Sequence, residues 1–180
     1  MTMSKLTAPV SSHDHTQGKT YAPWTLVEYG DYQCPSCGDA HPIVKQLQQH
    51  FGDQLRFVFR HFPLEMHPYA KHAAEAAEFA AAHGKFWEMH DLLFDNQANL
   101  KDSALLKLAA KLRLASDHLK HALEEGKYAA RVKTDLDSGI ASGVPGTPTF
   151  YINSRMHDGD YGFDSLVKAI EATTKLRSGN

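Results

Sequence analysis

Both cysteines of the 180-residue chain lie in one short run, Cys34-Pro35-Ser36-Cys37. The residues before them include Leu26, Val27 and Tyr29, apolar and strand-forming, and Gly30-Asp31 ends that strand. Pro35 suits the first position of a helix, where its missing N–H costs nothing. Ile43, Val44 and Leu47 continue an apolar stripe of helical period as far as Phe51-Gly52, with Gly52 as a left-handed stop. Cys34 and Cys37 therefore share one face at the mouth of that helix. Unpaired N–H groups and the positive end of the helix dipole favour a thiolate there, and a thiol of lowered pKa is a reactive one. The spacing predicts thiol–disulfide exchange, with Cys34 as the exposed nucleophile and Cys37, one turn in, as the thiol that resolves a mixed disulfide.

Two other readings use the same residues. A structural disulfide is one, although closing so short a loop removes little chain entropy. A zinc site is the other. Zinc wants four ligands; the chain has no second Cys-x-x-Cys, and Cys34, Cys37 and His41 make only a partial set.

The elements that must hold the pair follow from periodicity. Residues 24–30 and 55–62 read as strands on either side of the cysteine helix, a βαβ unit with parallel strands and a right-handed crossover. Such a unit sets Cys34 at the carboxyl end of the first strand, where open α/β sheets place their sites. From Pro68 to Ser142 the pattern is helical, with helices predicted near 70–82, 85–94, 103–114, 117–123 and 127–140. Asn99, Ser103 and Ser116 are the predicted caps, and Gly126 and Gly143 the breaks. After the rigid turn 143–148 come a strand at 149–153, a hairpin turn at Asn153-Ser154, an edge strand at 155–157 and a helix at 163–175. The chain reads as α/β in four parts: an extended or disordered arm 1–20, a frame split into 21–65 and 143–180, and a helical insertion 66–142. The Ser178-Gly179-Asn180 tail is expected to fray.

Two residues admit two readings each. Glu28 sits between Val27 and Tyr29, six positions before Cys34. It lies either on an exposed strand face or buried near the thiols, where a raised pKa would make it a proton acceptor for Cys37. Alternation does not choose between these. Pro148 stands directly before a strand, an awkward place for a residue without an N–H. It is either an ordinary trans proline in a turn, which the local sequence favours, or a cis peptide that opens the Thr147 backbone to an extended partner chain.

Composition narrows the function classes. At 42% hydrophobic, 22% charged and a net charge of −2, the chain is that of an ordinary globular domain with no electrostatic case for nucleic acid or an acidic membrane. It contains no run of about 18 apolar residues, as a membrane helix would need. Residues 1–20 lack the apolar stretch of a secretory signal. This predicts a cytoplasmic protein; removal of a leader would instead make it periplasmic. The twelve histidines are scattered, and His13 and His15 read as parts of a solvated loop. No heptad or dimerisation arm is visible, so a monomer is expected.

Strand, Cys-Pro-Ser-Cys helix, strand, helical insertion, Gly146-Thr147-Pro148-Thr149-Phe150 and hairpin together resemble the DsbA-like branch of the thioredoxin superfamily across residues 25–175. Glu28, Cys34-Pro35-Ser36-Cys37, Phe59-Arg60-His61-Phe62-Pro63, Gly84-Lys85-Phe86-Trp87 and Thr147-Pro148 carry the likeness. It implies a thioredoxin fold with an inserted all-helical subdomain, Cys34 attacking and Cys37 resolving. It also implies that Glu28 is a buried acid and Pro148 a cis-proline facing the disulfide. Protein or peptide thiols and disulfides would be the substrates, held along Thr147-Pro148, with a further redox partner and no cofactor beyond the Cys34–Cys37 disulfide. The Pro35-Ser36 dipeptide departs from the Pro-His of the strongly oxidising periplasmic members. Losing that imidazole implies a less acidic nucleophile and a less oxidising couple. Two alternatives go with the resemblance: glutathione-dependent isomerase or transferase chemistry, whose members typically lack the second cysteine, and a non-catalytic partner-binding module, with or without zinc.

Overall fold

The computed structural model describes residues 4–175, and the expected fraying of the C-terminal tail lies outside the described residues. Strands β1 (His15–Gln17), β2 (Trp24–Gly30), β3 (Leu55–His61), β4 (Thr149–Ile152) and β5 (Arg155–Met156) form a sheet of order β1-β3-β2-β4-β5. Helix α1 (Pro35–Phe51) connects β2 to its neighbour β3. β4 runs antiparallel to β2, with Glu28 opposite Phe150, and β5 closes a hairpin on β4. Every residue of β2 is buried, which is why its sequence is a nearly continuous apolar run instead of an alternating one. Sealing Leu26 and Val27 from water stabilises the sheet by about 1.5–3 kcal/mol for each side chain.

The N-terminal stretch differs from expectation. It is packed, not loose: Leu6 is buried, and His15–Gln17 pair antiparallel with β3, His15 opposite Phe59. His15 is accordingly half-buried, while His13 stays exposed. The cause lies far along the chain. Arg60, buried in β3, grips both oxygens of Asp14 at 2.8 and 3.0 Å and donates to the carbonyls of Ala8 and Pro9 and to the Tyr29 hydroxyl. Burial alone would lower the guanidinium pKa, but the hydrogen bonds to Asp14 and Tyr29 hold it above its ordinary value, so the cation persists. The fork of Arg60 converts a polar segment into a fixed edge strand.

Between β3 and β4 run α2 (Ala70–Ala81), α3 (Phe86–Asp95), α4 (Asp102–Lys111), α5 (Ser116–Glu125) and α6 (Ala129–Ala141). The expected caps do not form. Lys101 and Ala115 hold the N-cap positions of α4 and α5, without a side-chain cap bond. Ser116 lies within reach of α4 and donates its hydroxyl to the Leu106 carbonyl instead, and the Asn99 side chain accepts from the nearby Lys101 N–H, at 3.4 Å. Helix α7 (Phe163–Ala172) ends three residues short of the expected boundary.

The described residues gather into two compact units. One draws on residues 4–30, 39–60 and 138–175; the other comprises Asp31–Gly38 and His61–Asp137. The cysteine turn thus groups with the helices. Tyr32 explains much of this: its hydroxyl bonds His90 Nδ1 at 2.9 Å, and its ring lies 4.9 Å from that of Phe94, both on α3.

Candidate active site

The turn that carries the cysteines is built by Asp31. The N–H groups of Gln33 and Cys34 donate to its Oδ1 at 2.7 and 3.2 Å, and Cys34 N–H also reaches the Asp31 carbonyl at 3.1 Å. Aspartate favours such a turn because its short carboxylate reaches backbone N–H groups two and three residues on. Gly38 N–H then donates to the Cys34 carbonyl at 3.1 Å. This is the first bond of α1, so Cys34 is its N-cap and Pro35 its first residue.

The two sulfurs are unequally reachable. Cys34 is 7% exposed and Cys37 is fully buried. Cys37 is the more shielded of the two, as expected, but Cys34 is itself buried where an exposed thiol was expected. Gln97 accounts for part of the enclosure, its Nε2 donating to the carbonyls of Tyr32 and Cys34 at 2.9 and 2.7 Å. Glycine at position 38 is what admits Gln97, because a Cβ there would lie 2.4 Å from Gln97 Oε1. Cys37 Sγ receives the Asp31 N–H at 3.5 Å, a contact that suits a sulfur with thiolate character. Pro35 is exposed and Ser36 half-buried in the first turn.

Asp31, His67 and Gln97 were not legible as site residues. Asp31 offered a local signal, an aspartate three positions before a helix opening. Gln97 and His67 offered none, since their partners are 63 and 36 positions away. A second polar cluster lies in the same unit: His61 Nε2 bonds Glu78 at 2.8 Å, and Asp135 receives the His61 N–H and pairs with Arg131. It clips the end of β3 to α2 and α6.

Glu28, Thr147 and Pro148 belong to the other unit. Glu28 is 2% exposed, so it does not lie on an exposed strand face. Gly30 leaves the room it needs: a Cβ there would come within 2.5 Å of the Phe59 ring and 3.0 Å of Glu28 Oε1. The Thr147–Pro148 peptide is cis, against the preference of the local sequence, and the Thr149 hydroxyl bonds the Gly146 carbonyl at 2.7 Å to close the turn before β4. Among the described residues, no cluster of metal-ligand side chains includes Cys34 or Cys37.

A family model described as thioredoxin matches residues 11–172. The chain belongs to the thioredoxin family. Its fold is the thioredoxin fold with helices α2 to α6 inserted between β3 and β4. It is similar to oxidised BdbD from Bacillus subtilis, with a TM-score of 0.84 and 27% identity over 94% of this chain and 96% of that one. MdbA, a thiol-disulfide oxidoreductase from Actinomyces oris, shares the fold at a TM-score of 0.72 and 22% identity, over 92% and 88% of the two chains. The Na(+)/H(+) antiporter NhaA 1 of Salinispora arenicola is 45% identical over 177 residues, which is 96% of this chain and 27% of the antiporter. The chain thus spans about a quarter of the length of that antiporter.

Proposed function

We propose that the chain is a thiol–disulfide oxidoreductase that exchanges disulfides with protein or peptide substrates. One observation carries the reading: Cys34 forms the N-cap of α1 with Cys37 buried one turn in, its sulfur against the Asp31 N–H. The helix terminus favours the thiolate of Cys34. The small exposure of Cys34, against none for Cys37, supports giving it the attack.

In the reducing direction, the Cys34 thiolate attacks one sulfur of a substrate disulfide. The Cys34–substrate S–S bond forms, the substrate S–S bond breaks, and the departing substrate thiolate takes up a proton. Cys37, deprotonated, then attacks Cys34 Sγ and releases the second substrate thiolate. Two protein thiols are oxidised to the Cys34–Cys37 disulfide while the substrate disulfide gains two electrons; the oxidising direction is the reverse. The disulfide itself is the redox cofactor, so no organic group is required. Glu28 enters through the resemblance alone, as the acid that handles the Cys37 proton, and the Thr147–Pro148 turn likewise, as the backbone edge for an extended substrate. With Ser36 in place of an imidazole, the dipeptide adds no positive charge to the thiolate, which supports a less oxidising couple.

The name of the antiporter relatives describes much longer proteins, and no helix among the described residues is long and apolar enough to cross a membrane. Insulin reduction in the presence of dithiothreitol tests the reading. The double variant Cys34→Ser, Cys37→Ser is expected to lose the catalysed rate while keeping its far-UV circular dichroism; full activity in that variant would overturn it.

A further inference from the structure

The exchange steps make no use of Asp31 beyond its backbone, yet its side chain is wholly buried and carries four contacts. Oδ1 holds the N–H groups of Gln33 and Cys34. Oδ2 accepts from Leu64 N–H at 2.9 Å and meets His67 Nδ1 at 2.7 Å. The Asp31 N–H lies on Cys37 Sγ. A single residue therefore fixes the amide of one cysteine and the sulfur of the other.

Charge makes this more than scaffolding. A buried anion beside a thiol pair opposes ionisation of either thiol, whereas the N-terminus of α1 favours it. The hydrogen bond from His67, whose side chain is 18% exposed, draws charge away from that carboxylate. The thiolate exists only in the reduced protein. Anything that disfavours it therefore destabilises the dithiol relative to the disulfide and makes the couple less oxidising.

We propose that Asp31 is a positioning residue of the Cys34–Cys37 pair whose charge restrains the thiolate, and that His67 sets the strength of the restraint. The inference rests on the exchange reading. Equilibration of the protein against glutathione buffers with thiol trapping, together with titration of the thiolate absorbance at 240 nm, tests it. Asp31→Asn keeps the acceptor at Oδ1 and removes the charge. It is expected to acidify the nucleophilic thiol and to shift the equilibrium about tenfold towards the dithiol, about 30 mV more oxidising for a two-electron couple. His67→Leu removes the donor and leaves the anion, so its shift is expected to be severalfold in the opposite direction. A residue that merely held the turn would lower the melting temperature in both variants without opposite displacements of the couple. An unmoved couple in Asp31→Asn, or shifts of one sign in both variants, would overturn the proposal. Should Asp31→Asn fail to fold, the sign of the His67→Leu shift decides alone. A wild-type protein with no measurable couple would defeat the exchange reading itself, an outcome recognisable without either variant.

Discussion

Gln97 commits its amide to two backbone carbonyls, and its oxygen occupies the space that a side chain at position 38 would need. Gly38→Ala should therefore behave against helix propensity. Alanine inside a helix normally gains about 1 kcal/mol over glycine, but here it must displace a side chain holding two hydrogen bonds, worth about 0.5–1.5 kcal/mol each. A net loss of up to about 2 kcal/mol is expected by urea denaturation. In a Gln97→Ala background the same substitution should turn neutral or stabilising, and the double-mutant cycle reads the coupling. Glu75 gives a second prediction at this scale. Its side chain is buried in α2, and Oε1 has no hydrogen-bond partner among the described residues. Burial pushes its pKa up from 4.5, partly countered by His72 and Lys71. A raised folded-state pKa means stability present at low pH that is lost as pH rises through the carboxylate range. Glu75→Met should accordingly gain about 1–3 kcal/mol at neutral pH, with the gain shrinking as pH falls towards 4.5 and levelling off below it, as thermal unfolding across pH would show.

The elements that position the cysteines were largely written in local pattern. β2, α1 and β3 could be read from apolar runs, Pro35 and Gly52 because each boundary is a local event, and Gly52 adopts the left-handed φ of 53° that its role requires. β1 could not be read this way. His15, Thr16 and Gln17 carry no strand pattern, and their place in the sheet depends on an ion pair between residues 46 positions apart. The helix caps depart from local pattern for a related reason, since Ser116 finds its partner on a neighbouring helix. Of the site, the two cysteines were legible and Asp31 nearly so, but the partners His67 and Gln97 exist only once the chain has folded. The arm yields an element-scale prediction. Arg60→Ala leaves Asp14 buried beside a missing cation and should cost about 3–5 kcal/mol. Hydrogen exchange should show the β1 amides losing protection first, and an unchanged β1 in that variant would contradict the clamp.

For the molecule as a whole, the division into two compact units assigns the cysteine turn to the helical one, together with Tyr32, His67 and Gln97. Glu28 and the Thr147–Pro148 turn reside in the sheet unit. On the proposed reading, Cys34 and Cys37 interconvert as one couple. Redox titration of the wild-type protein in glutathione buffers, with acid quenching and mass-shifting thiol labels, tests this directly. The expected result is a single two-electron transition in which both thiols appear and disappear together, at a potential below the roughly −120 mV of the strongest oxidants of this chemistry. Independent labelling of the two cysteines, with no disulfide at any glutathione ratio, would contradict it.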